Sequence, residues 1–360
     1  MSDSNSMTVT RTPFGSTHAG TELTRFTCTN KLGCSVDLID YGATLTSVRT
    51  LDRNGQFDNI VLGCDDIETY EKCTCYFGSV VGRVCNRIAN AKFTINGNEY
   101  SLMANDDINH LHGGKKGFDK QVWEGEPIEQ KDAVGVRFHL TSESGDEGYP
   151  GQLVVTVEYL LSNDNELAMH LEAKTNEPTH VNLTGHSYWN LGGAGAGSIR
   201  DHQLMINADH FLPVNENLIP TGQLATVADT ALDFRTSKPI GRDLDSLTND
   251  PIGYDHCYVL NRNGDPRELQ TAAIAIDPGS GRKLEILTTQ PGVQFYTGNF
   301  LDGQQASNGF QQQSAFCIET QGLVDAANQP SFPTTLLNPG DTYRHTTIHR
   351  FGVADQTKLS

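Results

Sequence analysis

The sequence predicts an all-β protein, a large antiparallel sandwich with few short helices. Three observations carry that expectation. Runs of strand length with period-2 alternation recur along most of the chain, tight turn signals separate them, and helical periodicity is scarce. Hairpins without intervening helices give antiparallel sheets, and such sheets bury one face by stacking on another.

The first clear element is a hairpin, Phe93-Thr94-Ile95 and Glu99-Tyr100-Ser101-Leu102 around Asn96-Gly97, a turn whose two positions favour positive φ. Alternation is stronger at Leu153, Val155, Val157 and Tyr159; it resumes after polar Ser162 to Asn165 at Leu167, Met169, Leu171 and Ala173. A third hairpin joins Ala272–Ile276 to Leu284–Leu287 through Asp277-Pro278-Gly279-Ser280-Gly281. The run Tyr343 to Phe351 reads as a final strand. No internal repeat, low-complexity tract or composition break marks a linker. One large domain over residues 11–360 is therefore expected, with residues 1–10 as a flexible N-terminus.

A chain of 360 residues with 37% hydrophobic and 19% charged residues can bury a large core and is neither disordered nor membrane-spanning in composition. Its formal charge is 26 − 44 = −18. So acidic a surface repels phosphate backbones and anionic lipid, which argues against nucleic acid and membranes as partners and favours a neutral small molecule. Met1 to Thr12 has neither a basic n-region nor an apolar h-region, so no signal peptide is expected. The eight cysteines form no C-x-x-C framework and read as free thiols, which places the protein in the cytoplasm. The sequon at Asn182 matters only in a secreted chain.

Several polar clusters could carry chemistry. Gly82-Arg83-Val84-Cys85-Asn86-Arg87 and Asn109-His110-Leu111-His112-Gly113-Gly114 set hydrogen-bonding groups beside glycines, as a polyhydroxylated ligand would require. Asn86 and Arg87 also suit a purely structural pair. His110 and His112 could share one face of a strand and ligate a metal, but no third ligand at suitable spacing is obvious, so no metal is expected. His186 stands where a strand gives way to a Gly-rich turn, a position equally open to a satisfied core histidine. Tyr254-Asp255-His256 and the run Thr289 to Asn299, with Gln294, are further clusters. Glu319 follows three apolar residues, so a strand would carry its carboxylate into a buried neighbourhood and raise its pKa toward a working general base. The same residue at a strand end could face water.

Taken together these segments resemble the aldose 1-epimerase (galactose mutarotase) family. The stretches that carry the resemblance are GRVCNRIANAKFTINGNEYSL, NHLHGGKKGFDKQVW, VNLTGHSYWNLGG, YDHCYVL, TTQPGVQFYTGNFLDG and FCIETQGLVDAANQPSFPTTLLNPGDTYRHTT; they are collinear and extend from about Gly63 to Thr347. The resemblance implies a mutarotase-like supersandwich and an isomerase that interconverts the α and β anomers of free aldohexoses such as D-glucose and D-galactose. It implies Glu319 as general base and His186 as general acid, with Asn86, Arg87, His112, Asp255 and Gln294 binding sugar hydroxyls and His110 without a role. Gly185, Trp189 and Cys85 depart from the family's more usual residues, which bears on pocket shape and sugar preference.

Mutarotation needs a base at the C1 hydroxyl, an acid at the ring oxygen and donors for the other hydroxyls. Nothing is oxidised and no group leaves, so no cofactor is expected. His186 is expected as an imidazolium, since a neighbouring carboxylate favours its charged form. Three other readings stay open: a sugar-binding module without catalysis, a glycoside hydrolase with Asp255 and Glu319 as its two carboxylates, and an epimerase of phosphorylated hexoses, which would require additional basic residues in the pocket.

Overall fold

The structure is a computed structural model and describes residues 6–355. All paired strands in it are antiparallel and fall mainly into three sheets. An N-terminal sheet of five strands runs in sequence order through Thr8–Ser16, Glu22–Thr29, Ser35–Ile39, Thr44–Leu51 and Phe57–Asn59. A nine-stranded sheet forms the back of the molecule, in the order Glu124–Glu129, Ala133–Ser142, Leu153–Ser162, Glu166–Thr175, Tyr343–Val353, Arg282–Thr288, Gln270–Ile276, Gln203–Ile206 and Lys238–Pro239. The third sheet orders Ala225–Thr226, His210–Phe211, Asp255–Val259, Gly292–Tyr296 and Cys317–Gln321. Among the described residues the one α-helix is Ile67–Lys72, capped by the Asp66 side chain on the Thr69 N–H at 2.8 Å.

Each predicted hairpin forms. Lys92–Ile95 pairs with Asn98–Ser101 through Asn96 and Gly97, at φ +52° and +83°. Leu153–Ser162 pairs with Glu166–Thr175, and Gln270–Ile276 with Arg282–Thr288. The long C-terminal strand completes the back sheet by lying between Glu166–Thr175 and Arg282–Thr288. Residues 1–5 of the expected flexible terminus lie outside the described residues, and the first strand begins at Thr8, inside that stretch.

One apolar core joins all three sheets. It runs from Phe26, Leu38 and Val48 through Val136, Val155, Leu171 and Ile286 to Val293, Phe295 and Ile318. Phe26 meets Phe138 edge-on at 5.8 Å, and burial of this surface is the main force holding the sheets face to face. In the third sheet, period-2 alternation divides two roles. Tyr258, Val293, Phe295 and Ile318 enter the core, while Asp255, Gln294, Tyr296 and Glu319 turn the other way and line a cleft. Thr320 confirms the orientation, since its hydroxyl meets that of Thr347 in the back sheet at 2.6 Å.

Candidate active site

The cleft has a volume of about 250 Å³ and brings together every candidate sugar-site residue of the sequence: Asn86, Arg87, His112, His186, Asp255, Gln294 and Glu319. Cross-strand register builds one wall. Gln294 lies opposite Glu319, and Asp255 is next to them on the adjoining strand. The Gln294 amide donates to Asp255 Oδ1 at 2.6 Å. Gln294 Oε1 and Glu319 Oε2 are buried and have no hydrogen-bond partner. Buried acceptors of this kind are costly unless a ligand donates to them.

The opposite wall comes from two tightly turned loops. Asn86 and His112 both adopt positive φ, +58° and +52°, and hold each other reciprocally. The Asn86 N–H donates to His112 Nδ1 at 3.2 Å, and the His112 N–H donates to the Asn86 carbonyl at 3.1 Å. Gly113 follows at φ +87°, where an added Cβ would lie 1.8 Å from the Gly82 carbonyl oxygen, so only glycine fits. Arg87 lies in the cleft with its Nε 2.7 Å from Asp106 Oδ2. Arg83, by contrast, is buried, and its guanidinium donates to Ser142, Glu143, Pro150 and Gly151 as a structural clamp.

His186 follows the short strand Thr184–Gly185, which pairs with Val80–Val81. Trp189 and Phe316 exchange backbone hydrogen bonds of 2.7 and 3.0 Å, which lays the His186 segment beside Cys317–Gln321. As a result His186 Nε2 stands 3.6 Å from Glu319 Oε1, and Nδ1 stands 3.6 Å from Cys317 Sγ. The imidazole stacks on Tyr188 at 5.0 Å and on Tyr76 at 5.8 Å. His110 is elsewhere: fully buried, with Nδ1 2.7 Å from the Met103 carbonyl and Nε2 2.8 Å from the Tyr149 hydroxyl.

The family model described as aldose 1-epimerase matches residues 24–350. Galactose mutarotase of Bos taurus is 47% identical over 89% of this chain and 91% of its own length. That of Rattus norvegicus is 44% identical over 97% and 100%, and aldose 1-epimerase of Escherichia coli K12 is 37% identical over 90% and 94%. The chain belongs to the aldose 1-epimerase family. It is an enzyme, an isomerase that acts on carbohydrates. Among solved structures, galactose 1-epimerase from Lactobacillus acidophilus aligns with a TM-score of 0.84 at 29% identity, over 97% of this chain and all of that one. An aldose epimerase homologue from C. elegans aligns at 0.81 with 31% identity, over 90% of this chain and 97% of that one.

Electrostatics in this aldose 1-epimerase site depart from one sequence expectation. Burial pushes Glu319 well above the usual carboxylate range, with the Asp255 charge adding to the effect. Burial also lowers His186, to about 4. The imidazolium expected from a nearby carboxylate is thus not the favoured resting form, because desolvation outweighs the attraction. His112 is lowered too, first by burial and then by the neighbouring His186 and Arg87.

Among the described residues, His112, His186 and Glu319 form the one group of side chains close enough to share a metal ion, with ligand atoms within 4.8 Å of one another. The Asn86 N–H occupies the lone pair of His112 Nδ1, so its proton sits on Nε2 as a donor, which suits a sugar oxygen and not a cation. Sequence reasoning missed Tyr76, Tyr188, Asp106, Tyr296 and Phe300, which also line the cleft. Tyr296 and Tyr188 belong to stretches that the family resemblance picked out, but nothing local marked them. The three departures from family usage fall outside the cleft lining: Trp189 packs on His349 and Phe351 in the core, Cys85 is buried, and Gly185 backs on Met169.

Proposed function

We propose that Glu319 and His186 interconvert the anomers of a free aldohexose, D-glucose or D-galactose, by acid–base ring opening and closure. The carrying observation is the 3.6 Å approach of His186 Nε2 to Glu319 Oε1 within a buried cleft. The C1 hydroxyl oxygen and the ring oxygen share one carbon, so their base and acid must be neighbours. Glu319 takes the C1 hydroxyl proton as His186 gives one to the ring oxygen. The C1–ring oxygen bond breaks, the aldehyde turns, and the reverse transfers close the ring on its other face.

The pair carries one proton throughout. It reacts as carboxylate and imidazolium, an arrangement reached by proton transfer from the carboxylic acid and imidazole that burial favours at rest, and the two arrangements carry the same charge. Burial raises Glu319 and lowers His186, which favours the carboxylic acid and imidazole that the transfer forms.

Asn86, Arg87, His112, Asp255 and Gln294 supply donors and acceptors for the hydroxyls remote from C1. The cleft lining holds Arg87 against three carboxylates, Asp106, Asp255 and Glu319, and Arg87 is already paired with Asp106, so a neutral sugar is favoured over a phosphorylated one. A hydrolase is disfavoured because Asp255 and Glu319 project from one face of one sheet, whereas glycoside cleavage places carboxylates on either side of the bond. Eight free thiols fit a reducing compartment, and we place the enzyme in the cytoplasm; no helix among the described residues is long and apolar enough to cross a membrane. Polarimetry of freshly dissolved α-D-galactose and α-D-glucose tests the reading. Accelerated approach to anomeric equilibrium is expected, and sugar binding without anomer exchange would contradict it.

A further inference from the structure

Sugar chemistry leaves three thiols at the edge of the cleft unused. The helix Ile67–Lys72 ends at Cys73, the chain bends at Cys75, and Cys64 lies just before the helix. Cys73 is central: its Sγ accepts the Cys75 N–H at 3.3 Å, and the thiols of Cys64 and Cys75 adjoin it. Lys120 Nζ sits beside it, donating to the Cys73 and Tyr70 carbonyls at 2.9 and 3.2 Å. The adjoining thiols, the Cys75 N–H and the Lys120 charge hold Cys73 well below an ordinary thiol, while the negative charge beside them and burial push Cys64 and Cys75 up. Cys64 and Cys73 are buried; Cys75 is partly exposed and lines the cleft.

Two links tie this cluster to catalysis. Cys75 Sγ is pinned to the Ala306 carbonyl at 3.5 Å. Its neighbour Tyr76 places its ring 4.6 Å from His112 and 5.8 Å from His186. Any movement of Cys75 is therefore passed to the residue that flanks both imidazoles.

We propose that Cys73 and Cys75 form a peroxide-reactive dithiol site, with Cys75 as the sulfur attacked from the cleft and Cys73 as the one that resolves it. Cys75 gives its thiol proton to the adjoining Cys73 thiolate as its sulfur attacks one oxygen of hydrogen peroxide; the O–O bond breaks, Cys75 becomes a sulfenic acid, and the leaving hydroxide takes the proton from Cys73 as water. The Cys73 thiolate then attacks the Cys75 sulfur, expels a second hydroxide and forms the Cys73–Cys75 disulfide. The peroxide is reduced by two electrons and the two thiols are oxidised by two. Closing the small ring pulls Cys75 from Ala306 and turns Tyr76 away from His112 and His186. A sugar in the cleft covers Cys75 and slows the first step.

The test treats the full chain with a few equivalents of hydrogen peroxide and follows mutarotation and peptide mass together. The peptide holding both cysteines is expected to lose two hydrogens as activity falls by about a hundredfold, the scale of a small displacement at a catalytic group. Dithiothreitol should restore both, saturating D-galactose should slow both, and Cys75→Ser should keep its own starting activity under the same peroxide. A disulfide mapped to other cysteines, a Cys73–Cys75 bond with full activity, or inactivation of Cys75→Ser at the wild-type rate would overturn the proposal. The mass measurement uses wild type alone, so it decides the thiol chemistry even if Cys75→Ser does not fold. Only the activity arm rests on the mutarotase reading, and failure of that reading would show as absent turnover before any oxidant is added.

Discussion

The Gln294 side-chain amide donates to Asp255 Oδ1 at 2.6 Å, on the strand directly opposite Glu319. This contact keeps a second carboxylate on the wall that carries Glu319, the proposed general base, and the Asp255 charge is the second cause, after burial, of the raised Glu319 pKa.

Removing that charge should therefore ease ionisation of Glu319. Asp255→Asn keeps the shape and can still accept from Gln294. The acidic limb of the kcat/KM profile, which in wild type should lie above the free Glu value of about 4.3, is expected to move to lower pH. A pH–rate profile that is unchanged, or moved to higher pH, would remove Asp255 from the electrostatic account.

In the proposed mechanism Arg87 binds a hydroxyl and does not move a proton. Losing a charged hydrogen bond costs about 1.5–3 kcal/mol, so Arg87→Ala should raise KM by roughly 10- to 150-fold while leaving kcat within a few-fold. Asp106→Ala, which frees the Arg87 Nε paired at 2.7 Å, should reproduce part of the effect. Steady-state polarimetry across sugar concentration separates the two constants, and a pure kcat loss in Arg87→Ala would place it at the reacting atoms instead.

Gly113 positions His112 through backbone space. A methyl there would sit 1.8 Å from the Gly82 carbonyl oxygen at a φ of +87°. Gly113→Ala should cost about 1–3 kcal/mol from backbone strain alone, before the clash is counted. Thermal unfolding should show a fall in Tm of several degrees. An unchanged Tm would mean that the two loops are free to separate.

Hairpins were legible because their signals are local: Asn96-Gly97 declares its turn, and alternation along Leu153–Tyr159 declares a buried face. The order of nine strands in the back sheet was not, since the C-terminal strand reaches its neighbours across most of the chain. The two histidines of the His-Leu-His motif show another limit. Period-2 reasoning puts them on one face, but the strand ends at Leu111 and His112 turns to positive φ, so His110 enters the core and His112 the cleft. Tyr76 and Asp106 had no sequence signal because loops distant along the chain bring them to the site. The His186 charge was misjudged for a related reason: the depth of burial, which decides the sign of its shift, is a property of the packed fold.

The central claim is tested most directly by Glu319→Gln, which preserves size and hydrogen bonding but cannot take a proton. Polarimetry of α-D-galactose at matched protein concentration is the measurement. A drop of about 10²–10⁴-fold in kcat, the usual contribution of one positioned proton transfer, is predicted, with sugar binding retained by calorimetry. Wild-type mutarotation in Glu319→Gln would contradict the account.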